Sequence, residues 1–297
     1  METQEQDLVV TLKYDRMTHR YAKVSLPHPL SVCLRITDVC NRTCYHCCSG
    51  PSGNIGKTRD LKRLMTTIRK AGTPRLNITG GEPFTHPDIE GLLEYAVELG
   101  FGVSVTTSGD RVTERHVIFM GTRQIKPDVS LDGPDDKINR ALRGNGSFDR
   151  VMEVASQCRE HSVPFILNCT IQQHNLLHVD ALATLGKQLL AKKITFIVIR
   201  PQGRAKSLPE ILLSDDDIRV LHEKVELHRK TWTIGVMDLR KQPRSFVVVE
   251  PNGDIIAQSH DEYVTVGNAL RDGTEFREVW ADPEKFDHKS HLLHFVT

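Results

Sequence analysis

The chain has 297 residues, of which 39% are hydrophobic and 26% charged, and its formal net charge at pH 7 is +1. This composition is typical of a soluble globular protein, and the near-neutral charge gives no electrostatic basis for binding nucleic acid or an anionic membrane. No apolar run reaches the length of about 18 residues that a membrane span needs. The acidic N-terminus is unlike a signal peptide, and seven unevenly spaced cysteines are unlike a secreted disulfide framework. We expect a cytoplasmic protein with neither a membrane nor a nucleic-acid partner.

From residue 31 onward, strand-like runs alternate with helical ones. The hydrophobic pattern predicts strands at 31–37, 75–79, 102–107, 127–132, 163–172 and 194–200, and helices at 59–71, 87–99, 148–161 and 178–192. This alternation is typical of an α/β fold with a parallel sheet, either open or curled into a barrel. Six strand–helix units are fewer than a complete eight-fold barrel needs.

The remainder of the chain follows a different pattern. A helix is predicted at 214–230, and two apolar runs within 245–258 are joined by a Pro-Asn-Gly-Asp turn that indicates a β-hairpin. We therefore expect three parts, an N-terminal extension over 1–30, the α/β part over 31–205 and a small α+β extension over 206–297.

Three histidines lie close to the end of the sequence, at His288, His291 and His294. Histidines at such spacing can bind a metal, but no second group of ligands accompanies them. We therefore expect a frayed or packed tail here rather than a metal site.

Four cysteines occur within nine residues directly after the first predicted strand, at Cys40, Cys44, Cys47 and Cys48. The first three have the spacing C-x3-C-x2-C, and thiolates are the ligands that zinc, copper(I) and iron–sulfur clusters prefer. A structural zinc ion, like a cluster held only by protein, normally takes four ligands. Three cysteines in one loop therefore suggest a cluster that keeps one iron open for chemistry.

Zinc is the alternative for the same loop. Cys40, Cys44 and Cys47 could be joined by Cys48 or His46 to supply four ligands. Adjacent cysteines rarely both reach one metal in a compact loop. A zinc site would also leave the segment after the second strand unexplained.

That segment is Gly80-Gly81-Glu82-Pro83. Paired glycines at the carboxyl end of a strand allow the backbone to approach a ligand closely, and ligands of parallel α/β folds bind at this end of the sheet. A simple turn would also use two glycines, so the segment is informative only together with the cysteine spacing.

Together these motifs resemble the radical S-adenosylmethionine (SAM) superfamily over about residues 31–205. The resemblance implies a partial (β/α)6 barrel in which Cys40, Cys44 and Cys47 hold a [4Fe–4S] cluster. SAM would occupy the fourth iron. An electron from an external reductant of the flavodoxin or ferredoxin type would then cleave SAM to methionine and a 5′-deoxyadenosyl radical, which takes hydrogen from a substrate.

The resemblance also implies the residues that bind SAM. They are Tyr45, Gly80, Gly81, Glu82, Pro83, Ser108, Ser130, Arg143 and Asn168. Tyr45 matches a position whose backbone meets the adenine, and the glycine segment matches one that binds the SAM amino group. Ser108 and Ser130, in Thr106–Gly109 and Ser130–Gly133, match segments near the ribose and the methionyl group. Arg143, or alternatively Arg140, suits the carboxylate, and Asn168 the ribose.

The C-terminal part resembles the SPASM or twitch extension of some radical SAM enzymes, in which cysteines after a hairpin hold auxiliary clusters. Here Gln258 stands where the first such cysteine is expected, and no cysteine follows Cys169. An auxiliary cluster bound by cysteines in this region is therefore excluded. We expect redox-neutral chemistry such as epimerisation, rearrangement, elimination or addition.

Two cysteines, Cys33 and Cys169, are candidate catalytic residues, because a thiol facing the barrel interior could return hydrogen to a substrate radical, as radical SAM epimerases require. Strand alternation puts Cys33 on the inner face and Asn168 with Thr170 on the inner face of the fifth strand, which turns Cys169 toward the helices. The alternative for both is that a buried free cysteine acts as a small hydrophobic residue.

The sequence gives less information about the substrate than about the cofactors. Polar residues after the sixth strand, Arg200, Gln202, Arg204 and Lys206, suit an anionic or hydroxyl-rich ligand, and His174 with Asn175 could assist proton transfer. Thirty residues ahead of the first strand are too few for a separate peptide-binding domain. We favour a small polar metabolite, such as a sugar or natural-product intermediate. A peptide is the alternative substrate, and a non-catalytic metal-binding scaffold is the remaining hypothesis.

Overall fold

The computed structural model describes residues 11–15, 20–48, 53–240, 242, 244–271 and 276–296. The strands are β1 (Thr11–Asp15), β2 (Arg20–Ser25), β3 (Ser31–Arg35), β4 (Arg75–Thr79), β5 (Gly102–Thr107), β6 (Lys126–Ser130), β7 (Ile166–Ile171), β8 (Lys193–Val198), β9 (Ile234–Met237), β10 (Phe246–Val249), β11 (Asp254–Gln258) and β12 (Tyr263–Asn268). The helices are α1 (Thr58–Lys70), α2 (Ile89–Glu98), α3 (Glu114–Thr122), α4 (Asp136–Arg143), α5 (Ser147–Glu160), α6 (Val179–Gln188), α7 (Asp215–Arg229), α8 (Phe276–Ala281) and α9 (His288–Val296).

One ten-stranded sheet organises the described residues, in the order β12-β11-β10-β3-β4-β5-β6-β7-β8-β9. Strands β3 to β9 are parallel to their neighbours, β10 adds to β3 in parallel, and β11 and β12 complete an antiparallel hairpin edge. Strands β1 and β2 form a separate antiparallel pair. The predicted α/β class and all six predicted parallel strands are confirmed.

Two parallel strands flank the six predicted ones, β9 alongside β8 and β10 alongside β3, and β9 was not predicted. This strand has four residues and contains Gly235, so its hydrophobic pattern is too short to be recognised. Helices α3 and α4 were also missed. Only Val117 and Met120 are buried in α3, and only Asn139 and Leu142 in α4, so neither carries a long apolar stripe.

The parallel strands have two different faces. The face toward the helices is fully buried and apolar, as at Val32 and Leu34 of β3, which pack in one core with the apolar stripes of the helices. The opposite face, which we call the inner face, is polar. It carries Cys33, Asn77, Ser104, Thr106, Asp128, Asn168 and Thr170. The predicted assignment of faces in the first and fifth strands is confirmed.

The C-terminal histidines pack against the segment that leads into β3. The His288 ring accepts a hydrogen bond from Leu26 N (3.1 Å) and lies stacked on Trp280 with the ring centroids 4.3 Å apart. The Trp280 indole donates to Leu26 O (2.9 Å). A packed tail is thus confirmed for His288, while the side chain of His294 lies outside the described residues.

The second histidine of this tail is a buried bridge between two distant backbone segments. His291 Nε2 accepts from Leu30 N (2.9 Å), and its Nδ1 donates to Ser245 O (2.7 Å). Leu30 immediately precedes β3, and Ser245 immediately precedes β10. One imidazole therefore ties the starts of two adjacent parallel strands together.

No helix in the described part of the chain combines the length and the apolarity that a membrane crossing requires.

We expect His291→Ala to lower the free energy of unfolding by about 2–4 kcal/mol, because two buried backbone groups lose their partner and a cavity remains. Lys289→Ala, an exposed site in the same helix, is the matched control and should change little. Thermal unfolding of the two variants and the parent protein checks this, and equal midpoints for all three would contradict it.

Candidate cofactor site

The predicted cluster ligands lie in a loop at the carboxyl ends of the parallel strands. The loop, residues 36–48, follows β3 and contains one backbone bridge, between Thr37 and Ile55. Cys40, Cys44 and Cys47 are partly buried, and Cys48 is exposed. A segment with so little regular structure depends on neighbouring segments for its hydrogen bonds.

The first of these neighbours is the glycine segment after β4. Gly81 N donates to Thr37 O (2.7 Å) and Glu82 N donates to Val39 O (2.8 Å). A Cβ at Gly80 would lie 2.3 Å from Thr37 O, and one at Gly81 would lie 2.3 Å from Val39 O. The glycines are therefore required where the backbone packs against the cysteine loop, a different reason from the ligand approach that the sequence suggested.

The buried Glu82 carboxylate accepts hydrogen bonds from residues at the end of β5. It accepts from Thr107 Oγ1 (2.7 Å), from Ser108 N (2.8 Å) and Oγ (2.6 Å), and from Phe84 N (3.3 Å). Burial raises the pKa of Glu82, and the hydrogen bonds from Ser108 and Thr107 oppose that shift. Glu82 thus orients Ser108, another predicted SAM residue, while Pro83 begins a short buried 3₁₀ turn.

The second neighbour is the C-terminus of α4. Tyr45 N donates to Leu142 O (2.9 Å), and the Arg42 guanidinium donates to Arg143 O (3.1 Å) and Asn145 O (3.2 Å). The last carbonyls of a helix lack intrahelical partners and carry partial negative charge, so a guanidinium is a favourable cap. The cysteine loop therefore provides the cap of α4.

The third neighbour is the segment after β8. Arg204 donates from its backbone N to Cys47 O (2.9 Å) and from Nε to Cys44 O (2.9 Å). Gly203 has φ +56°, and a Cβ there would lie 2.5 Å from Cys47 O. Arg200 Nη2 lies 3.6 Å from Cys48 Sγ. Sequence analysis assigned Arg204 to a substrate, whereas here its guanidinium braces the loop.

A buried carboxylate, Asp132, joins the loop to the barrel. Its Oδ1 accepts from Thr170 N (2.7 Å), and its Oδ2 lies 2.5 Å from Arg143 Nε and 3.1 Å from His46 Nε2. Burial disfavours the charged form, but Arg143 and His46 outweigh it and hold the pKa of Asp132 well below its usual range. The predicted SAM-carboxylate ligand Arg143 is thus already paired through Nε, and Arg140 pairs with a surface aspartate.

Asp132 and Asn139 were given no individual role from the sequence, and His46 was considered only as an alternative zinc ligand. Asn139 is fully buried, and its Oδ1 accepts from Asp132 N (2.9 Å) and Gly133 N (3.1 Å). The available signal was a polar residue on the buried side of the short helix α4, together with the Asp132-Gly133 pair at a strand end. A pattern that counts only apolar residues does not detect such a site.

The remaining predicted SAM residues lie at the same edge of the sheet. Ser130, the last residue of β6, is the register partner of Asn168 on β7. Asn168 is partly exposed on the inner face. Tyr45 is exposed, its hydroxyl donates to Glu210 (3.1 Å), and its ring lies edge-on to His174. Ser130 and Asn168 therefore adjoin on neighbouring strands, and Tyr45 contacts the segments that follow β7 and β8.

The two candidate catalytic cysteines have different surroundings. Cys33 lies on the inner face, where its thiol is 3.6 Å from Asn77 Oδ1. Burial raises the pKa of Cys33 to about 12, Asp128 adds to the shift and Arg200 opposes it. Cys169 has no exposed surface and lies in the apolar core on the helix side. Only the first thiol therefore faces the polar interior.

Asn175, a predicted proton-transfer residue, is a structural residue in this arrangement. It is fully buried, and its Nδ2 donates to Asp132 O (2.9 Å) and Thr170 O (2.9 Å). Its Oδ1 accepts from Gln172 N (2.8 Å). These contacts shape the turn after β7.

Gln258, at the position where an auxiliary-cluster cysteine is expected, is buried. Its Nε2 donates to Gln202 Oε1 (2.9 Å), and Gln202 Nε2 donates to His260 O (3.0 Å) and Ser259 O (3.2 Å). This pair of glutamines, the glutamine clamp, joins the hairpin to the segment after β8. Gln202 was expected to contact a substrate, but its amide is used within the protein.

The donor set of the cysteine loop fits an iron–sulfur cluster. Cys40, Cys44 and Cys47 are three partly buried thiols in one loop, one fewer than the four ligands that a structural zinc ion or a cluster held only by protein normally takes. Three thiolates suit a cluster that keeps one iron open for another ligand.

Several curated proteins are similar to this chain. Mycofactocin maturase MftC of Mycobacterium tuberculosis is 26% identical over 287 residues, which cover 88% of this chain and 72% of the relative. The AdoMet-dependent heme synthase of Methanosarcina barkeri is 28% identical, covering 68% of this chain and 60% of the relative. PqqA peptide cyclase of Ruegeria pomeroyi is 26% identical, covering 68% and 57%.

Solved structures share the fold at low sequence identity. Streptococcus suis SuiB bound to precursor peptide SuiA superposes with a TM-score of 0.74 and 18% identity, covering 89% of this chain and 67% of SuiB. The enzyme anSMEcpe with bound AdoMet and Cp18Cys peptide gives a TM-score of 0.70 and 17% identity, covering 89% and 84%.

A family model described as the radical SAM superfamily matches residues 34–183, just over half of the 297 residues. The matched region begins in β3 and includes the cysteine loop, the glycine segment and strands β4 to β7. On this match, the chain belongs to the radical SAM superfamily.

Proposed function

We propose that this radical SAM enzyme modifies a peptide. The observation that carries the proposal is the similarity to PqqA peptide cyclase, a relative named for its peptide substrate. The shared fold with SuiB in complex with a precursor peptide is consistent with it. Epimerisation of a small metabolite, which we favoured from the sequence, has no support among these relatives.

Cofactor binding in this proposal follows from the described contacts. Cys40, Cys44 and Cys47 would hold a [4Fe–4S] cluster, and SAM would lie across the carboxyl ends of β4 to β7. When bound, this pair supplies a radical that abstracts hydrogen from the substrate, given one electron from a flavodoxin- or ferredoxin-type donor. The residues proposed to contact SAM are Tyr45, Gly80, Gly81, Glu82, Pro83, Ser108, Ser130, Arg143 and Asn168.

The contacts sharpen two of these assignments. The Glu82 carboxylate already accepts four hydrogen bonds from the protein, so the backbone carbonyls of Gly80 and Gly81 are the better partners for the SAM amino group. Arg143 is held through Nε, so its outer nitrogens are the part suited to a carboxylate.

The inner face of the sheet is the proposed substrate site. It is lined by small polar side chains rather than the bulky aliphatic residues that fill a closed barrel. Asn77 connects Cys33, Ser104, Thr106 and Asp128 through hydrogen bonds. A polar peptide side chain or a backbone amide would find both donors and acceptors there.

The chemical outcome proposed for the substrate is redox-neutral. The glutamine clamp occupies the place of a first auxiliary-cluster ligand, and no cysteine follows Cys169 in the sequence. Residues 170–297 therefore supply no cysteine ligands for a second cluster that could receive an electron from a product radical. Cys33, on the inner face, is the proposed hydrogen donor, and Cys169 is the weaker candidate because it lies in the core. Donation leaves a thiyl radical on Cys33, which a second electron from the external reductant and a proton from solvent would return to the thiol.

The division into parts at 1–30, 31–205 and 206–297 also stays a proposal. The last part contributes β9 to one edge of the parallel strands and β10 to the other. We propose that it functions as a twitch-like extension that closes the barrel without a cluster of its own.

The cluster assignment predicts the metal content of the protein. After anaerobic reconstitution we expect about four irons per chain, which a Cys40/Cys44/Cys47→Ala triple variant should lose. Cys48→Ala, which removes the adjacent exposed thiol, is the matched control and should keep its iron. About eight irons would contradict a single cluster, and zinc in place of iron would contradict the cluster altogether.

The substrate proposal is tested with synthetic peptides translated from the short reading frames that flank the gene. One peptide should stimulate formation of 5′-deoxyadenosine by the reconstituted enzyme. The mass of the peptide product should equal that of the substrate in H2O. In D2O the product should gain one deuterium, because the thiol hydrogen exchanges with solvent before the thiol donates it. Cys33→Ala should abolish this gain and Cys169→Ala should not.

Three results would count against different parts of this proposal. If no peptide stimulates the reaction while a tetrapyrrole does, the substrate is of the other class that the heme synthase relative represents. A peptide product lighter by two hydrogens would show oxidation. Deuterium gain that survives Cys33→Ala would assign the donor elsewhere.

The inner face also predicts a pH dependence of stability. Burial raises the pKa of Asp128 to about 7, although Ser104, Lys126 and Lys193 oppose the shift. The folded protein therefore binds a proton that the unfolded chain releases near pH 4, so this contribution to stability is present at low pH and is lost as pH rises through 7.

We expect Asp128→Asn to flatten this dependence and to stabilise the protein at pH 8 by on the order of 2 kcal/mol. Thermal midpoints between pH 5 and pH 8 measure the effect. The matched control is Asp149→Asn, which changes an exposed carboxylate. Parallel pH curves for the parent protein and both variants would disprove the prediction.

A further inference from the structure

Three separate elements meet at the Asp132 carboxylate, which the proposed reaction does not use directly. Asp132 follows β6, Arg143 is the last residue of α4, and His46 belongs to the cysteine loop. Asp132 and His46 are buried, and the side chain of Arg143 is 11% exposed. A buried carboxylate needs such partners, because an isolated charge in a low-dielectric interior is very costly.

The two partners connect Asp132 to the two halves of the cofactor site. His46 lies between the proposed cluster ligands Cys44 and Cys47, and its Nε2 is 3.1 Å from the carboxylate. On the other side, Arg143 is the proposed ligand of the SAM carboxylate, and its Nε is 2.5 Å from the same carboxylate oxygen. A displacement of Asp132 would therefore be transmitted to both halves.

Arg143 is also close to the cluster loop itself. Its backbone carbonyl oxygen lies 3.9 Å from Cys44 Sγ and accepts from Arg42. Burial lowers the pKa of Arg143 and the charges of Asp132 and Cys44 raise it, so the guanidinium lies within electrostatic reach of Cys44. A permanent positive charge within reach of a cluster ligand favours the reduced, more negative cluster, since cluster potentials depend on nearby charge and hydrogen bonding. Asp132 cancels that charge at short range.

The geometry points to Asp132 as a positioning residue that orients Arg143 for SAM, fixes His46 in the cysteine loop and balances the buried charge that sets the reduction potential of the cluster. Engagement of Nε leaves the two terminal nitrogens of the guanidinium as the planar fork that binds carboxylates. The role of Asp132 rests on the proposed cluster and SAM residues and does not depend on a peptide substrate.

The experiment is a redox titration of the reconstituted cluster without SAM, followed by electron paramagnetic resonance. Asp132→Asn leaves Arg143 uncompensated and should move the midpoint potential in the positive direction. Arg143→Gln leaves Asp132 uncompensated and should move it in the negative direction. The double variant restores neutrality, so its potential should return close to that of the parent protein.

SAM affinity provides the second readout, measured by calorimetry on the cluster-loaded protein. Asp132→Asn should weaken SAM binding about tenfold, because the guanidinium loses its fixed orientation. The double variant should bind SAM weakly although its potential is restored, since it lacks the guanidinium. Asp136→Asn, which changes a carboxylate of α4 that pairs only with Arg140, is the matched control and should change neither quantity.

The opposite signs distinguish a charge effect from a general loss of structure. Two results would overturn the inference: midpoint potentials of the single variants that shift in the same direction, or single variants that hold four irons and show no shift in potential. If a single variant takes up no iron, the iron content of the double variant is the test. Recovery of full iron content by the double variant supports charge balance, and its failure contradicts it.

Discussion

The whole site depends on one constraint, which is that a loop with little regular structure must hold three thiols in a fixed arrangement. The loop achieves this by pairing its backbone with three segments that end at the same edge of the parallel sheet. Hydrogen bonds to the loop come from the glycine segment after β4, the last carbonyls of α4 and Arg204 after β8. Because parallel strands bring their carboxyl ends to one edge, these segments meet without any long connection. The cofactor site is therefore a consequence of the sheet topology.

The parts of the fold that could be predicted are those in which apolar and polar residues recur at a regular spacing along the sequence. The six parallel strands and the inner face of β7 were recognised because apolar and polar residues alternate along them. The strand β9 and the helix α4 were missed because each is short and buries few apolar side chains. The cluster cysteines were proposed from their spacing, which local sequence contains, and their role stays a prediction. Asp132 was not recognised as a hub, because its role comes from residues that are distant in sequence and meet only after folding.

The C-terminal part shows how buried side-chain amides can join a hairpin to a neighbouring segment. The hairpin of β11 and β12 pairs with β10 and is also joined to the segment after β8 by the glutamine clamp, in which buried Gln258 donates from Nε2 to Gln202 Oε1. The Gln202 amide is satisfied at both Oε1 and Nε2, which is the condition for burying such a group at low cost. The extension thus retains its structural contribution to the sheet edge, while the chemistry is left to the barrel.

The contacts of α9 bear on the order of events during synthesis. Leu26 and Leu30 immediately precede β3, and their backbone groups are bound by Trp280, His288 and His291. Ribosomes deliver the cysteine loop early, yet the segment that anchors its strand acquires these partners only after residue 291 has emerged. Folding of this domain is therefore completed from its C-terminus, and the final geometry of the thiols is reached after translation. The proposed cluster would accordingly be inserted only after residue 291 has been synthesised.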